Sequence, residues 1–597
     1  MAQATSLLGK FLIWRIKHIS NKNFIYILSI VIGITSGLGA VVLKNVTHLI
    51  KGSLHSELIK EYHNYFYFIF PLIGIFLTFI VARYIIKEPI GHGIPSTLYA
   101  ISRRRGVMRR FQMWGSILTA PLTVGFGGSV GLEGPTVATG SAIGSNIARM
   151  FHMNSKTRIL LVGTAAAGAM SAIFKAPITA IVFAVEVFAL DLTLVSLIPL
   201  LIASVSAIIT SYLFLGNDFL LHFQLQDKLS LSDLPLYIAL GIMASFTSIY
   251  FSKVYFGIAG FFDKIENPFK KIIIGGTIIG GIIFFMPALY GEGFQTINQL
   301  LAGHVPDSID TFYSHNHLHN EHIIILLLIG LVIFKVIAMA TTFGAGGIGG
   351  IFAPTLFMGS IMGNTFARII NWLPLGVEVS ITNFTLVGMT GLMAGVLHAP
   401  LTAIFLIAEI TRGYDLFIPL MVTALISYAI TKKFVPYSVY HRELAKKGQL
   451  ITHDKDKTVL TLMDLDRVLE TNFTPIYPEM SLGELVHNVV SQSKRNIFPV
   501  VNKENELLGI ITLDDIRRIM FDYKIYDTTF VRTFMHAPQE VIKGRKDSMS
   551  DVMRKFQDSG AWNLPVVKEG KYAGFVSKSK LLTVYRRKLI EVAGEKV

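Results

Sequence analysis

The sequence predicts an all-α polytopic membrane domain with an inverted internal repeat and broken helices, followed by a soluble α/β module. Three observations predict it. Hydrophobic residues make up 52% of the 597 residues and charged residues only 16%, whereas soluble proteins carry about 25% charged residues. The apolar part contains a repeat, and charges recur throughout the chain beyond about residue 453. The composition excludes a single soluble domain and a disordered chain, and the absence of cysteine excludes disulfides and cysteine nucleophiles.

The first apolar segments and their flanking charges predict the orientation in the membrane. Residues 24–49 and 65–86 are long enough to span a bilayer, which takes about 20 helical residues. A basic N-terminus (1–23) precedes the first span, and an arginine cluster (103–110) follows the second. Because two crossings separate these basic regions, both lie on one side, which the positive-inside rule makes cytoplasmic. We therefore expect a multi-pass protein of a plasma (bacterial inner) membrane with cytoplasmic termini and no cleaved signal peptide, and no binding to nucleic acid.

The C-terminal part repeats itself. Residues 495–520 and 561–586 both contain Pro-Val-Val, a polar turn, a glycine with a β-branched strand, a Thr or Ser, and then an amphipathic helix. Each copy has the pattern of a β-α unit. The two copies predict a paired α/β module.

The membrane part carries a second repeat. Residues 131–136 and 350–355 each begin with a glycine and end with a Pro-Thr pair, and both are followed by Gly-Ser and Gly at identical spacings. Residues 176–181 and 399–404 share an Ala-Pro-x-Thr-Ala-Ile pattern. In both halves a glutamate follows that proline by nine residues: Glu186 and Glu409. Duplicated halves with broken helices are typical of transporters.

The glycine-rich segments indicate the kind of substrate. Proline is favoured in the first turn of a helix, and glycines before it leave backbone N–H groups accessible. Irregular backbone at membrane depth occurs only where it is buried in protein or lines a cavity. Because a helix N-terminus favours negative charge, several such starts would bind a small anion weakly enough to release it. Close helix packing is the alternative explanation of each glycine segment taken alone.

At this point the membrane part resembles the CLC family of chloride channels and chloride/proton exchangers. Four segments carry the resemblance: residues 91–95 (GHGIP), 131–135 (GLEGP), 350–354 (GIFAP) and 438–444 (SVYHREL). The C-terminal repeat resembles a tandem CBS-domain pair, a cytoplasmic regulatory module that often senses adenine nucleotides. The resemblance implies a homodimer with one pathway per subunit for chloride or other small anions, and antiparallel halves.

The domain boundaries follow from these segments. They are a cytoplasmic N-terminus (1–23), a transport domain (24–449, with halves at about 24–216 and 232–435), a linker (450–470), and two CBS domains (471–528 and 529–592).

The resemblance also assigns roles to residues. Glu133 becomes the gating glutamate, a tethered carboxylate that competes with the anion until protonation releases it; a structural partner for a buried Arg or Lys is its alternative role. The amides of Ile351 and Phe352 and the hydroxyl of Tyr440 would coordinate the central anion. His92 and Gly134 complete the implied anion-binding set.

Three departures from the family pattern bear on the mechanism. His92 stands where chloride-selective members usually have Ser, so pH dependence becomes plausible; it could equally be hydrogen-bonded in place without affecting selectivity. Leu132 replaces the usual basic residue before the gating glutamate. This replacement weakens the positive electrostatic field at the outer anion-binding site that the resemblance implies. Val187 stands where many exchangers carry an internal proton-accepting acid. Because valine binds no proton, it favours passive conduction over proton-coupled exchange, which stays the alternative.

Other candidate residues carry less specific signals. We expect Glu186 and Glu409 to cap or pair locally rather than to carry protons, and Lys335 to snorkel or pair within its span. An alternating histidine run is interpreted as a solvated loop, so no metal site is predicted; its members are His315, His317, His319 and His322.

In the CBS pair, Thr512 and Asp515 match the Thr/Ser-x-x-Asp pattern that holds a nucleotide ribose, whereas the second copy has Ser577 and Lys580 and lacks the carboxylate. No cofactor is required, and an adenine nucleotide at the CBS pair is the one candidate.

Two other classes of protein are the alternatives. A CBS-regulated cation (magnesium-type) transporter calls for clustered intramembrane carboxylates, whereas Glu133, Glu186 and Glu409 are separated in sequence. An intramembrane hydrolase lacks both an H-E-x-x-H motif and a cysteine. We therefore expect an ion channel or transporter rather than an enzyme.

Overall fold

The computed structural model divides into two compact units, Met1–Ala445 and Lys446–Val597. We call them the membrane unit and the C-terminal unit. The residues that the structure describes are 7–54, 63–91, 93–190, 193–216, 221, 231–305, 321–374, 376–411, 413–446, 459–460, 463–544 and 546–593.

The membrane unit is built of helices. Those of its first half are α1 (Leu7–His18), α2 (Asn21–Leu54), α3 (His63–Ile80, continued by a π-helical turn Val81–Ile86), α4 (Ile94–Arg103), α5 (Gly115–Gly125), α6 (Glu133–Met150), α7 (Ser155–Phe174), α8 (Pro177–Phe188) and α9 (Leu194–Leu215). Those of its second half are α10 (Leu234–Asp263), α11 (Pro268–Phe285), α12 (Phe294–Leu301), α13 (Glu321–Gly344), α14 (Phe352–Trp372), α15 (Ile381–Leu397), α16 (Pro400–Ile410), α17 (Phe417–Phe434) and α18 (Arg442–Lys446). Short 3₁₀ turns lie at Arg110–Met113, Leu231–Asp233 and Pro287–Leu289.

Within the described ranges, eight helices are long and apolar enough to cross a membrane. Four shorter apolar helices accompany them, namely α5, α8, α15 and α16. The mixture of full-length and short helices agrees with the broken helices that the sequence predicts, because a helix of about 11 residues cannot span the hydrocarbon core.

The repeat is visible in how corresponding helices begin and end. Helix α7 is followed by Lys175 and helix α15 by His398, and both residues have φ of 54°. Left-handed backbone is unfavourable for residues other than glycine, so both helices stop there. In each half one alanine follows, and the next helix starts at Pro177 or Pro400, where a missing N–H costs nothing.

Glycines in the repeated segments also allow close helix packing. A Cβ atom on Gly144 of α6 would lie 2.4 Å from the Leu161 carbonyl oxygen of α7. In the second half, a Cβ atom on Gly363 of α14 would lie 2.0 Å from the Phe384 carbonyl oxygen of α15. These two glycines therefore serve packing, whereas those at the helix starts form the site described below.

The C-terminal unit is an α/β structure with two similar halves. Its strands are β1 (Leu469–Glu470), β2 (Ile497–Val501), β3 (Leu507–Thr512), β4 (Ile542–Lys543), β5 (Asn563–Lys568) and β6 (Lys571–Ser577). Its helices are α19 (Leu465–Val468), α20 (Leu482–Glu484, continued by a π-helical turn Leu485–Val490), α21 (Leu513–Ile516), α22 (Met549–Ser559) and α23 (Lys578–Ala593), with 3₁₀ turns at Tyr523–Ile525 and Val531–Thr533.

The two halves of this unit share their strand pairing. Strands β2 and β3 pair antiparallel, with an irregularity between Val500 and Val501. Strands β5 and β6 pair in the same way, with the irregularity between Val566 and Val567. Strand β4 adds in parallel to β5, and β1 adds to the other edge of β6, giving a four-stranded sheet in the order β1-β6-β5-β4.

Candidate functional site

Three helix starts converge at glycines in the membrane unit. Gly131 and Gly350 exchange backbone hydrogen bonds of 2.9 and 2.7 Å, which join the start of α6 to the start of α14. Gly93, directly before α4, has φ of +56°, and a Cβ atom on it would lie 2.6 Å from the backbone of Gly134. A Cβ atom on Gly134 would lie 3.1 Å from the Cα atom of Gly350. Only residues without side chains allow this approach, and it concentrates free N–H groups in one place.

Glu133 is the first residue of α6 and only 1% of it is exposed. Neither carboxylate oxygen has a hydrogen-bond partner among the described residues. The backbone N–H groups of Glu133 and Ala353, the ammonium group of Lys335 and the carboxylate of Glu292 act on it electrostatically. A buried carboxylate without fixed partners is costly, and such a group inside a membrane points to function.

The remaining anion-binding candidates lie at the start of α14 and after α17. Phe352 is the first residue of α14, with Ile351 directly before it, and both are buried. The ring of Phe352 contacts Phe174, with centroids 5.0 Å apart. Tyr440 is 4% exposed, its hydroxyl has no hydrogen-bond partner among the described residues, and it interacts electrostatically with Glu133. A buried hydroxyl without a protein partner is a donor available to a ligand.

Lys335 supplies a positive charge that the sequence analysis did not connect to the gate. It is fully buried, and its Nζ donates to Ser129 Oγ at 2.8 Å and to the Gly291 carbonyl oxygen at 3.0 Å. It also lies over the Phe357 ring at 4.7 Å. Lys335 therefore pairs rather than snorkels. A lysine within an apolar span is the sequence feature that points to a functional role for this residue.

Val187 is buried in α8, and its carbonyl oxygen accepts a hydrogen bond from His441 Nε2 at 3.2 Å. The other ring nitrogen, Nδ1, lies 2.8 Å from Ser438 Oγ. The Val187 carbonyl oxygen can only accept, so Nε2 carries a proton, and in a neutral ring Nδ1 accepts from the Ser438 hydroxyl. Both ring nitrogens of His441 are thus hydrogen-bonded.

Glu186 and Glu409 each cap a helix of the opposite half of the membrane unit. Glu186 accepts hydrogen bonds from Leu401 N at 3.1 Å, Thr402 N at 2.8 Å and Thr402 Oγ1 at 2.6 Å, at the start of α16. Glu409 accepts the equivalent bonds from Ile178 N at 3.1 Å, Thr179 N at 2.9 Å and Thr179 Oγ1 at 2.8 Å, at the start of α8. The expectation of capping agrees with these contacts and the expectation of local pairing is wrong, because each carboxylate binds the opposite half. Such reciprocal contacts indicate an approximate two-fold relation.

Two features singled out in the sequence, His92 and the alternating histidine run, lie wholly or largely outside the described residues. His92 is not among them, although its neighbours Gly91 and Gly93 are. Of the histidine run, His315, His317 and His319 are also outside, and His322 packs edge-on against Trp372 with ring centroids 4.7 Å apart. Among the residues that the structure describes, no cluster of three metal-ligating side chains occurs.

In the C-terminal unit, Thr512 and Asp515 form a capping box at the start of α21. Asp515 Oδ2 accepts from Thr512 N at 2.6 Å and Thr512 Oγ1 at 2.7 Å, and His536 Nε2 lies 3.1 Å away. Burial alone would raise the pKa of Asp515, but the hydrogen bonds from Thr512 and His536 outweigh it and lower the pKa.

In the second CBS copy, the position that corresponds to Asp515 lacks a carboxylate, and Glu470 of strand β1 supplies one instead. Ser577 Oγ donates to Glu470 Oε1 at 2.7 Å, and Arg495 pairs with the other oxygen of Glu470 at 2.5 Å. The sequence pattern around Ser577 did not reveal Glu470, because the two residues are 107 positions apart.

Comparison with known proteins matches both units. The family model for the voltage gated chloride channel matches residues 73–432, and the CBS domain model matches residues 465–522 and 538–587. The H(+)/Cl(-) exchange transporter ClcA of Vibrio cholerae serotype O1 is 30% identical over 418 residues, which cover 67% of this chain and 84% of ClcA. The voltage-gated ClC-type chloride channel ClcB of Escherichia coli O81 is 29% identical over 332 residues, or 55% of this chain and 75% of ClcB.

Solved structures share the fold. A slow cyanobacterial Cl-/H+ antiporter superposes with a TM-score of 0.60 at 21% identity, covering 71% of this chain and 97% of its own. A eukaryotic CLC transporter superposes with a TM-score of 0.59 at 17% identity, covering 96% of this chain and 99% of its own. The predicted fold class, a polytopic helical domain followed by an α/β module, is confirmed.

Proposed function

Because the chain belongs to the voltage-gated chloride channel (CLC) family of chloride transporters, we propose that it conducts chloride passively through a pathway gated by Glu133. The observation that carries the proposal is the buried Glu133 carboxylate, which has no hydrogen-bond partner among the described residues and lies where the starts of α6 and α14 meet. A carboxylate and a chloride ion compete for the same N–H donors. Protonation removes that competition, so flux rises as the pH falls.

The anion site consists of neutral donors. The backbone amides of Ile351 and Phe352 at the start of α14, together with the Tyr440 hydroxyl, would hold the ion, and Gly134 would let the two helix starts approach. Such donors bind a halide without a cationic side chain in direct contact, which keeps release fast. His92 is the proposed determinant of preference among small anions.

Passive conduction is favoured by the surroundings of Val187. Its side chain takes no proton, and the neighbouring His441 ring already has both nitrogens hydrogen-bonded. Position 187 itself therefore offers no group that could hold a proton on its way inward.

Proton-coupled exchange is the second candidate, and one observation favours it. The relative that is 30% identical, from Vibrio cholerae serotype O1, is named an H(+)/Cl(-) exchange transporter. Exchange would require a proton route that reaches Glu133 without an acid at position 187.

The reversal potential of the reconstituted full-length protein tests both candidates. In a chloride gradient, passive conduction predicts a reversal potential set by chloride alone, unchanged when a proton gradient is added. A displacement by the proton gradient would establish exchange and refute passive conduction.

The gate is tested separately with Glu133→Gln, which mimics the protonated carboxyl. We expect chloride flux that no longer depends on pH, whereas Glu378→Gln at an exposed position serves as the control and keeps the dependence. Persistent pH dependence in Glu133→Gln would refute the assignment.

Assembly, location and regulation complete the proposal. A homodimer would cover exposed apolar side chains of α9 and α17, including Leu194, Leu213 and Leu425, and crosslinking in membranes would detect it. The membrane would be the bacterial inner membrane with both termini cytoplasmic, testable by labelling of introduced cysteines.

The CBS pair would modulate flux on binding an adenine nucleotide near Thr512 and Asp515. Titration calorimetry with ATP and AMP would measure this, and Asp515→Asn is expected to weaken the binding.

A further inference from the structure

A second carboxylate lies beside the gate, on a loop outside the four segments that carry the family resemblance. Glu292 follows the 3₁₀ turn Pro287–Leu289 and precedes α12. Its side chain is 17% exposed, and its Oε1 accepts a hydrogen bond from Leu132 N at 3.3 Å. Leu132 is the residue directly before Glu133, so Glu292 occupies the backbone donor next to the gate.

The loop is built to hold Glu292 in this place. The flanking residues Gly291 and Gly293 have φ of +64° and +90°, a backbone that side chains other than glycine rarely adopt. Gly291 N donates to the Gly127 carbonyl oxygen at 3.4 Å, and the Gly291 carbonyl oxygen accepts from Lys335 at 3.0 Å. Tyr290 donates its hydroxyl to the Gly125 carbonyl oxygen at 2.8 Å. The loop is therefore fixed to α5, to the segment before α6 and to α13.

The charged and titratable groups facing Glu292 come from three helices. Lys51, 28% exposed at the end of α2, lies 3.9 Å from Glu292 Oε2. His48, also on α2, and Lys335 of α13 interact with Glu292 electrostatically. Glu133 of α6 is the like charge in this group. Glu292 is thus the one carboxylate among the described residues that contacts both the start of α6 and a partly exposed lysine.

We propose that Glu292 is a positioning residue that sets the pH range over which Glu133 gates the pathway. Its negative charge opposes the ionised form of Glu133, and its bond to Leu132 N withdraws a donor that would otherwise stabilise that form. Both effects help Glu133 to take up a proton. Because α2 crosses the membrane once from the basic N-terminus, Lys51 and Glu292 lie on the opposite, predicted external side, where external protons arrive.

Single substitutions separate the charge from the hydrogen bond. Glu292→Gln keeps an oxygen acceptor for Leu132 N but removes the charge, so the loop keeps its contact. Lys51→Met removes the opposing positive charge at a partly exposed position. The two variants change the local field in opposite directions, which a purely structural role of the loop would not produce.

The experiment is chloride efflux from vesicles containing the full-length protein, measured against external pH. Without the charge, Glu133 needs more acid to become protonated, so Glu292→Gln should lower the midpoint pH by about half a unit or more. Lys51→Met should raise the midpoint, and Glu378→Gln should leave it unchanged. In a Glu133→Gln background, Glu292→Gln should have no effect on a flux that no longer depends on pH.

The inference rests on the proposed gate, and the variants distinguish the two failures. If Glu133→Gln abolishes pH dependence while the Glu292→Gln midpoint is unchanged or raised, the gate stands and the role of Glu292 is refuted. If Glu133→Gln retains pH dependence, the gate itself is refuted, and the role of Glu292 with it.

Discussion

Replacing Glu186 by glutamine removes half of a reciprocal pair of helix caps. The carboxylate accepts three hydrogen bonds at the start of α16, two on Oε2 from Thr402 and one on Oε1 from Leu401 N. A glutamine keeps one oxygen, which can serve Thr402, and turns an NH₂ group toward Leu401 N. One donor is then left unsatisfied, at a cost of about 1–3 kcal/mol. The lost attraction between a full negative charge and the helix start adds about 0.5–1 kcal/mol.

The expected loss in the free energy of unfolding is therefore about 1.5–4 kcal/mol. Glu409→Gln should lose a similar amount, because its three bonds to Ile178 and Thr179 repeat the geometry. Reversible unfolding in mixed micelles measures both values, with Glu378→Gln at an exposed position as the control, expected within about 0.5 kcal/mol of wild type. Chloride flux per folded protein should stay unchanged.

Two results would refute this reasoning. If Glu186→Gln were as stable as the Glu378→Gln control, the cross-repeat cap would contribute nothing. If Glu186→Gln instead altered proton coupling while leaving stability intact, Glu186 would be a proton carrier rather than a cap.

Three further predictions follow from the site and the C-terminal unit. Gly93→Ala should abolish chloride flux, because its Cβ atom would lie 2.6 Å from the Gly134 backbone at a positive φ. The control is Gly257→Ala, where no atom lies within 4 Å of the added Cβ atom. Normal flux in Gly93→Ala would contradict the convergence of the three helix starts. Tyr440→Phe should weaken chloride binding by roughly 10- to 100-fold, since a hydrogen bond to a charged group contributes about 1.5–3 kcal/mol; calorimetric titration measures it, and unchanged affinity would exclude the hydroxyl from the site. The lowered pKa of Asp515 means that its stabilising contribution is complete above the unfolded-state pKa of about 3.9 and is lost as the pH falls through the folded-state value. At pH values under about 4, the amide-exchange protection of residues 507–516 should therefore decrease in wild type but stay constant in Asp515→Asn. If protection depended on pH in the same way in both proteins, the capping role of Asp515 would be refuted.

Helix starts could be predicted from sequence because they are encoded locally. The prolines of the repeated Ala-Pro-x-Thr-Ala-Ile pattern mark where α8 and α16 begin, and the repeated spacing relates the two halves. The first span was predicted at residues 24–49, whereas α2 runs over Asn21–Leu54; polar residues continue the helix beyond the apolar core, which hydrophobicity does not reveal.

Long-range partners could not be predicted in the same way. Glu292 meets Leu132 across 160 positions, and Glu186 meets Thr402 across 216. Periodicity and propensity describe one element at a time. They therefore predict that Lys335 snorkels or pairs and that Glu186 caps or pairs locally, without identifying the partners. The contact of Glu292 with the gate depends on how the loop after α11 folds back, which two glycines with positive φ determine.

Anomalous diffraction from crystals soaked in bromide tests most directly whether main-chain donors at converging helix starts bind the anion. We predict a bromide peak beside the amide of Phe352 and the hydroxyl of Tyr440 in wild type, and a second peak in Glu133→Gln where the carboxylate had competed. Diffraction that shows no bromide near Phe352 and Tyr440 in either protein would contradict the account.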